Sequence, residues 1–367
     1  MSDFSGLRVG LVGPLPPPAG GMANQTRQLA DLLRGEQATV ELVQTNSPYR
    51  PAWVGRLPIV RAVFRLVAYL RVLWRAAGRC DVFHVMANSG WAWHLFAAPA
   101  VWVAWLRRVP AIVNYRGGEA ATFLAGSHAL VRWTLRRAAA LAVPSDFLQQ
   151  VFQRHGIDAQ VLPNVVDLAR FKPRDAAARA GAHLVIARHL EPIYDNATAL
   201  RAFALVRERR PDARLTIAGS GPEEAKLHAL AAELGLGAAV RFAGTLDRDA
   251  MAALYRDADV ALNPSRADNM PNSLLEAMAC GVPVVSTNVG GVPFLVEHER
   301  SALLVAPQDP PALAEATLRL LGDTALRRRL VRAGLQQVQR YTWTQVAPLL
   351  GGLYRAASRA GPAPTGA

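Results

Sequence analysis

The sequence alternates between short apolar runs and segments with helical spacing, and the whole alternation occurs twice. It begins with an apolar run at 7–12, a loop rich in Gly and Pro at 13–21, and a helical pattern at 25–33. A strand, a loop and a helix in this order form the opening unit of a parallel sheet. Each later apolar run therefore predicts a further buried strand.

These later runs fall into two series. The predicted strands are 81–85, 111–115 and 141–144 in the first series, and 183–187, 214–218, 240–243, 260–263 and 283–286 in the second. Two series predict two doubly wound α/β domains, which suits a chain of 367 residues because one hydrophobic core rarely grows that large. Open parallel sheets bind ligands beyond the carboxyl ends of their strands, so two facing sheets would enclose a cleft for the chemistry.

The domain limits follow from the same pattern. We expect an N-terminal domain at 1–172, a C-terminal domain at 173–340, a C-terminal helix at 341–358 that packs back on the first domain, and a flexible tail at 359–367. The tail is rich in Ala, Pro and Gly, as frayed termini often are.

Positive charge is concentrated in the first half of the chain. Residues 1–172 hold 19 Lys and Arg against 9 Asp and Glu, whereas the remainder holds 22 against 19. A basic half suggests an anionic partner such as phosphate groups or a membrane surface. The alternative is compositional, because nearly all the cations are Arg. No nucleic acid is expected, since neither a recognised binding motif nor an aromatic platform accompanies the arginines.

Two segments of this half bear on membranes. Residues 91–106 are apolar apart from His94. Because the stretch is shorter than a bilayer-spanning helix and contains Pro99, we expect a buried helix, with an interfacial segment as the alternative. Residues 56–79 form a basic amphipathic pattern, which either rests on anionic lipid or covers apolar surface with Arg stems. Without a leader sequence, and with only Cys80 and Cys280, the chain is expected to be cytoplasmic, with peripheral contact at the inner face of the membrane.

The segment 263–287 carries the most chemical information. A helix is predicted to begin near 271–273, because Pro suits a first helical turn and Asn or Ser can cap free amides. It should end at Gly281, since Pro283 prevents its continuation. The N-terminus of this helix would offer N–H groups and a positive dipole end to an anion such as a diphosphate.

Two carboxylates belong to this segment. Glu276 stands among apolar neighbours, where a charge is costly unless it is hydrogen-bonded, and the two hydroxyls of a ribose would match its two oxygens. Asp268 lies in the loop that would face the same ligand. On these two residues alone, acidic side chains that merely stabilise a helix N-terminus explain the pattern about as well.

The spacing of Asp268 and Glu276, together with 277–285, resembles the signature of the GT4 family, which comprises retaining glycosyltransferases of the GT-B fold. The family usually has Glu where this chain has Asp268. Further blocks resemble the family along nearly the whole chain, namely 20–22, 144–145, 162–171, 217–222, 240–244 and 290–305. The resemblance implies two Rossmann-like domains that face each other across a cleft, the first on the acceptor side and the second binding the nucleotide sugar.

The resemblance also implies roles for matching residues. Glu276 would hold the ribose hydroxyls, Asp268 would contact the transferred sugar, and Arg188 would bind the phosphates. Gly20 and Gly21 would let backbone approach the phosphate or acceptor closely, because no Cβ intervenes. The other expected donor-site residues are Tyr194, Asn196, Gly219, Gly244, Asn269, Met270, Pro271, Asn272, Ser273 and Leu274. Among them, 269–272 would cradle the sugar and 272–274 would offer amides to the diphosphate.

The chain departs from the family pattern in two places. The family commonly has a Lys several residues after Arg188, but 188–196 contains none. Many members have a His-Gly pair after the third strand of the first domain, where this chain has Arg116 and Gly117. Arg116 cannot act as a base at neutral pH, but it could bind a phosphate bidentately. His84, on a neighbouring strand, is expected to be a hydrogen-bonded core histidine.

The resemblance implies a retaining hexosyltransferase that moves a sugar from a nucleoside-diphosphate sugar, of the UDP or GDP type, to a glycan or lipid-linked acceptor, as in polysaccharide biosynthesis. Arg188, the helix amides and Arg116 would stabilise the departing diphosphate. No metal or other cofactor is expected, since no Asp-x-Asp pair stands at a strand end. Two alternatives stay open: a catalytically weak sugar-nucleotide-binding protein, and a sugar-nucleotide epimerase of the same fold.

Overall fold

The computed structural model describes residues 4–17, 20–47, 58–173 and 182–360, and the side chains of α2 from Arg65 onwards. The chain divides into two compact units. The first comprises Met1–Pro163 with Val346–Ala367, and the second comprises Asn164–Gln345. Residues 174–181, directly after the predicted boundary between 172 and 173, and most of the predicted tail at 359–367 lie outside the described residues.

The first unit is built on a six-stranded parallel sheet in the order β2-β1-β3-β4-β5-β6. Its strands are β1 (Arg8–Gly13), β2 (Thr39–Gln44), β3 (Val82–Ala87), β4 (Ala111–Tyr115), β5 (Ala140–Val143) and β6 (Gln160–Val161). Its helices are α1 (Gly21–Gly35), α2 (Pro58–Ala77), α3 (Ala98–Leu106), α4 (Ala120–Leu135) and α5 (Asp146–Gln153). The order reverses between β1 and β3, which places the topological switch point at the carboxyl ends of these two strands.

Helices cover both faces of this sheet. Phe83 and Val85 of β3 belong to the large apolar cluster that also contains Leu73 of α2 and Val101 of α3. The alternate residue Met86 packs on the other face with Ala30 of α1. Right-handed crossovers between successive strands put α2, α3 and α4 side by side on the first of these faces.

The second unit is built on a six-stranded parallel sheet in the order β12-β11-β10-β7-β8-β9. Its strands are β7 (His183–Ala187), β8 (Arg214–Ala218), β9 (Val240–Gly244), β10 (Val260–Asn263), β11 (Val284–Thr287) and β12 (Leu303–Val305). Its helices are α6 (Asn196–Arg209), α7 (Glu224–Glu233), α8 (Arg248–Arg256), α9 (Asn272–Ala279), α10 (Val292–Leu295), α11 (Pro310–Gly322) and α12 (Thr324–Val338). The order reverses between β7 and β10, so residues that follow these strands flank the switch point.

The last helix, α13 (Trp343–Ala360), belongs to the first unit from Val346 onwards. Its Tyr354 is fully buried and meets the ring of Phe4 edge to face, with ring centres 5.8 Å apart. An aromatic pair of this kind stabilises a core beyond the area that it buries.

The apolar stretch 91–106 is helical, as the sequence predicts. A π-helical turn at Trp93–Ala97 leads into α3, and Trp93, Ala100 and Val101 are fully buried. Its two ends differ from the prediction, since Trp91 and Leu106 are exposed. In the described part of the chain, no helix combines the length and the apolar character that a membrane crossing requires.

Candidate functional site

The switch point of the second sheet gathers polar side chains from segments far apart in the sequence. Arg188 directly follows β7, and its Nε donates to Asn263 Oδ1 at the end of β10 over 2.9 Å. Asn263 in turn donates to Ser286 Oγ of β11 over 2.9 Å and accepts from Ser265 Oγ at 2.7 Å. All these groups are buried or nearly so, and each fixes its neighbour.

Arg188 and Asp268 form an ion pair at this edge. Arg188 Nη2 donates to Asp268 Oδ2, and the two side chains are 10% and 12% exposed. Burial raises the pKa of Asp268, while the charge of Arg188 acts in the opposite direction. The structure therefore brings together the two residues expected to contact phosphate and sugar. Their direct pairing was not expected from the sequence.

Tyr194 lies in the loop that follows Arg188, and Asn196 is the first residue of α6 after that loop. The Tyr194 ring centre is 5.2 Å from the Arg188 guanidinium, so a cation–π contact supports the arginine. Asn196 Nδ2 donates to His189 O over 3.0 Å, which commits its amino group to holding the loop. Tyr194 thus lies beside the charge of Arg188, and Asn196 holds the backbone of the loop that follows Arg188.

A second ion pair ties this loop to the one that contains Asp268. Asp195 is buried, has a left-handed φ of 45°, and contacts Arg266 Nε at 3.2 Å. Arg266 N also donates to Ile193 O over 2.8 Å. Sequence reasoning missed this pair, because its partners are distant in the sequence and neither belongs to a motif.

Glycines allow the close approach of backbone segments around the site. A Cβ on Gly291 would lie 1.9 Å from Asn269 O, and one on Gly219 would lie 1.9 Å from Arg188 O. Gly219 also has a φ of +154°, which side chains rarely adopt. Gly219 N donates to Gly244 O over 2.8 Å. Gly219 and Gly244 therefore shape the backbone that holds Arg188.

The predicted helix begins beside this network as α9. Its N-cap residue is Pro271, and Gly281 follows its end with a φ of +72°. The amide of Leu274 already donates to Pro271 O over 3.1 Å. Within the described residues, the backbone N–H groups of Asn272 and Ser273 donate no hydrogen bond, as expected for the first turn of a helix. These two amides are therefore the ones available to an anion.

Asn164 holds the segment before α9, a role that was not predicted from the sequence. Its Nδ2 donates to Met270 O over 3.0 Å and to Asn272 Oδ1 over 2.8 Å. Met270 and Asn269 are buried, so the expected sugar cradle at 269–272 is packed against the unit rather than free in solvent. The carbonyl of Met270 is already used by Asn164.

Glu276 lies one turn into α9 with its carboxylate unengaged. In the described part of the chain no hydrogen bond reaches this carboxylate, and burial raises its pKa to about 7. The charges of Arg248 and Arg188, in that order, oppose this shift. A partly buried carboxylate that receives no hydrogen bond is ready to accept hydrogen bonds from a ligand. Arg248, at the start of α8, was not expected to act at the site.

The first sheet also ends in a predicted site residue. Arg116 follows β4, its backbone N–H donates to Ala87 O over 2.9 Å, and its guanidinium donates to Gln25 Oε1 of α1. Burial lowers the pKa of Arg116 to about 10, so it remains protonated at neutral pH. Gly20 is the extended N-cap residue of α1, and a Cβ on Gly21 would meet nothing within 4 Å. These residues mark the carboxyl edge of this sheet.

His84 is a hydrogen-bonded core histidine, as predicted. Its Nε2 accepts from Asn114 Nδ2 at 3.0 Å, and its Nδ1 lies 3.1 Å from the Tyr354 hydroxyl. Burial, and to a lesser degree the charge of Arg116, lowers the pKa of His84 to about 3. The imidazole therefore stays neutral and serves the core of the first unit.

Both halves of the chain match family models of sugar-transferring enzymes. Residues 20–165 match a glycosyl transferase 4-like domain, and residues 183–323 match glycosyl transferases group 1. D-inositol 3-phosphate glycosyltransferase of Saccharomonospora viridis is 30% identical over 85% of this chain and 78% of that relative. Glycogen synthase of Mycobacterium tuberculosis is 30% identical over 77% and 70% of the two chains, respectively. The chain belongs to the GT4 family of glycosyltransferases.

Solved structures agree on the fold. Sucrose-phosphate synthase from Thermosynechococcus elongatus has a TM-score of 0.79 at 23% identity, covering 96% of this chain and all of that one. Anabaena Alr3699/HepE, in complex with UDP and glucose, has a TM-score of 0.73 at 18% identity, covering 94% and 98% of the two chains. The two Rossmann-like sheets described above are thus those of a GT-B glycosyltransferase.

Proposed function

We propose that this protein transfers a hexose from a nucleoside-diphosphate sugar of the UDP or GDP type to a glycan or lipid-linked acceptor, with retention of anomeric configuration. The observation that carries the proposal is the cluster at the second switch point. There the Arg188–Asp268 pair, the free amides of Asn272 and Ser273, and the unengaged carboxylate of Glu276 all belong to segments at one sheet edge.

Each of these groups has a counterpart in the donor. The carboxylate of Glu276 accepts from the two ribose hydroxyls, because it has two oxygens and no hydrogen-bond donor of its own. The amides of Asn272 and Ser273 and the guanidinium of Arg188 face the diphosphate. Asp268 accepts from hydroxyls of the transferred sugar. Arg116, a permanent cation at the edge of the first sheet, binds a phosphate group of the substrates.

The proposed reaction breaks the bond between the anomeric carbon and the phosphate oxygen. The electron pair leaves with the nucleoside diphosphate, and Arg188 and the α9 amides stabilise its growing charge. The acceptor hydroxyl attacks from the same face and gives its proton to the leaving phosphate, which retains the configuration. We propose that no metal ion takes part, since arginines and helix amides supply the charge that neutralises the diphosphate.

The relatives and the first unit both bear on the acceptor. The two relatives are named for different acceptors, a phosphorylated inositol and a glucan. The first unit, which is the acceptor side in the family, departs from the family pattern at Arg116. We therefore propose a glycan or lipid-linked acceptor.

A thermal-shift panel of UDP-, GDP- and ADP-sugars tests the donor. One nucleotide class should raise the melting temperature, and the matching sugar should then be transferred or slowly hydrolysed in the presence of EDTA. NMR of the product should show the anomeric configuration of the donor. Inversion of configuration, or complete inhibition by EDTA, would refute the corresponding part of the proposal.

A second candidate is a sugar-nucleotide-binding protein with little turnover. The ion pair between Arg188 and Asp268 favours it, since part of the arginine's charge is already neutralised and residues 189–196 contain no Lys. Donor binding with neither transfer nor hydrolysis would support this candidate. A sugar-nucleotide epimerase would instead give an isomerised donor without any acceptor, which product analysis distinguishes.

A further inference from the structure

The outer side of α2, α3 and α4 exposes large apolar side chains. Trp74 is 47% exposed, Leu106 58%, Leu130 47% and Trp133 48%. Single exposed apolar residues are common on proteins, but several on adjoining helices mark an interaction surface. We call this surface the Trp–Arg face, and its defining residues are Trp74, Leu106, Arg107, Leu130, Trp133 and Arg137.

Arginine–tryptophan contacts make the face continuous across the three helices. The Arg107 guanidinium lies 4.8 Å from the ring centre of Trp74, which joins the end of α3 to α2. The Arg137 guanidinium lies 3.9 Å from the ring centre of Trp102 and 4.5 Å from that of Trp133, which joins α3 to the end of α4. The aromatic rings thus hold positive charge at the same surface as the apolar side chains.

The face carries one sign of charge. None of α2, α3 and α4 contains an Asp or a Glu. Additional exposed arginines lie on the same helices or directly after them, namely Arg71, Arg75, Arg108, Arg132 and Arg136. The acid that follows α2, Asp81, already pairs with Arg8 at 2.6 Å. A positively charged surface that also exposes tryptophan and leucine side chains complements a partner that is both anionic and apolar.

We propose that the Trp–Arg face rests on an anionic lipid bilayer. Tryptophan prefers the membrane interface, where its ring is in apolar surroundings and its N–H meets water, and arginine attracts anionic headgroups. A second copy of the chain is a poor occupant, because a two-fold contact would set arginines against arginines. A nucleic acid would satisfy the arginines but would leave Leu106 and Leu130 without an apolar partner.

The topology separates this contact from the proposed chemistry. Helices run opposite to the strands that they connect, so the C-terminal ends of α2, α3 and α4 lie at the amino edge of the first sheet. Arg116 follows β4 and lies at the carboxyl edge of the same sheet. Docking through the Trp–Arg face therefore leaves the edge with Arg116 uncovered. The inference does not rest on the proposed function, and each can fail without the other.

Flotation of the full chain with vesicles tests the inference. The chain should float with vesicles of equal parts phosphatidylcholine and phosphatidylglycerol, should float much less with phosphatidylcholine alone, and should detach as salt is added. The double substitution Arg107→Gln and Arg108→Gln should weaken binding about 30-fold, since each charge near such a surface contributes roughly fivefold. The matched control, Arg328→Gln with Arg332→Gln on α12, removes the same charge elsewhere and should leave binding within about twofold.

A second arm tests the apolar component. Brominated phosphatidylcholine in the anionic vesicles should quench tryptophan fluorescence, and Leu106→Ser should weaken binding several-fold without changing the donor-induced thermal shift. Absence of vesicle binding by the native chain would overturn the inference, and so would equal losses in the α12 control. Binding to a single-stranded oligonucleotide that is tighter than to vesicles, and that depends on Arg107 and Arg108, would make nucleic acid the partner instead.

Discussion

The two sheets end in arginines that are held in different ways. Arg188 of the second unit pairs with the carboxylate of Asp268, within a network that reaches three strands. Arg116 of the first unit donates to the neutral amide of Gln25, and burial lowers its pKa to about 10. The second edge is therefore organised by opposite charges, whereas the first keeps a cation in a partly desolvated place.

The two units also differ in how closely their residues match the GT4 family pattern. The motif residues of the GT4 family that concern the donor are almost all in the second unit, and the structure places them at one edge. The clearest departure from the family pattern, Arg116, lies in the first unit. We therefore expect donor binding to follow the family pattern, and acceptor recognition to depend on residues particular to this chain.

The largest expected effect concerns Glu276. Glu276→Ala should lower kcat/KM roughly 100-fold or more, because two charge-assisted hydrogen bonds to the donor are lost. Glu315→Ala removes an exposed carboxylate from α11 and should leave the kinetics unchanged. Steady-state kinetics with the nucleotide sugar selected by thermal shift measure both. Near-native activity of Glu276→Ala would remove this residue from the donor site.

The two arginines give the direct test of the comparison. Arg188→Ala should lower kcat/KM at least roughly tenfold, the usual scale for a charged contact in the transition state. It should also cost about 3 kcal/mol in urea unfolding, since Asp268 is left buried and unpaired. Arg116→Ala should lower kcat/KM by less, and should reduce the donor-induced thermal shift by less than Arg188→Ala does. Equal effects of the two substitutions on donor binding would erase the contrast.

The pH dependence of donor binding should report Glu276. Its pKa of about 7 in the free protein means that lowering the pH from 7 to 6 reduces the ionised fraction, and with it the donor affinity, about fivefold. Calorimetric titration at a series of pH values measures this. Glu276→Gln should bind weakly at every pH, with no inflection near neutrality.

The free energy of unfolding of the ligand-free protein should rise as the pH falls, whereas donor affinity should fall. Glu276 ionises near 4.5 when unfolded and near 7 when folded, so its protonated form stabilises the native state. This contribution is fully present below the unfolded pKa and is lost as the pH rises through about 7, with an upper limit of about 3 kcal/mol. The urea midpoints of the native chain and of Glu276→Gln should be similar at about pH 5, where Glu276 is protonated. At about pH 8 the native chain should unfold at a lower urea concentration than Glu276→Gln. Parallel profiles would mean that Glu276 is not buried as described.

The smallest expected effect is at Gly21. Since a Cβ there meets nothing within 4 Å and the residue lies in the first turn of α1, Gly21→Ala should stabilise the first unit by about 0.5–1 kcal/mol. Thermal unfolding measures the gain. If transfer to the acceptor falls at the same time, the open space beside Gly21 is a substrate site, and unchanged transfer would exclude that role.

Local signals account for what the sequence predicted well. Pro271, Gly281 and Pro283 fix both ends of α9, and every predicted strand is present within a few residues. Strands β2, β6 and β12 were missed because edge strands are short or mixed in polarity, and two of these have only two and three residues. Runs of two or three residues are too short to show the periodicity of a buried strand.

Contacts between distant loops account for what was missed. The pairing of Asp195 with Arg266 depends on how two loops meet, and the effect of Arg248 on Glu276 depends on how α8 and α9 meet. No residue type or spacing in either loop indicates its partner. Even for Arg188 and Asp268, which were both expected at the donor, the sequence did not indicate that they neutralise each other.

The hydrogen bond between His84 and Tyr354 has a consequence for how the chain is made. The two residues are 270 positions apart, and the first unit takes its final helix from beyond the whole second unit. When only the first 163 residues have been synthesised, the Tyr354 hydroxyl that bonds to the His84 imidazole is still missing. The core of the first unit therefore cannot be completed until α13 has been synthesised. The contiguous second unit has no such delay, and in this enzyme the part synthesised later is the one that can mature first.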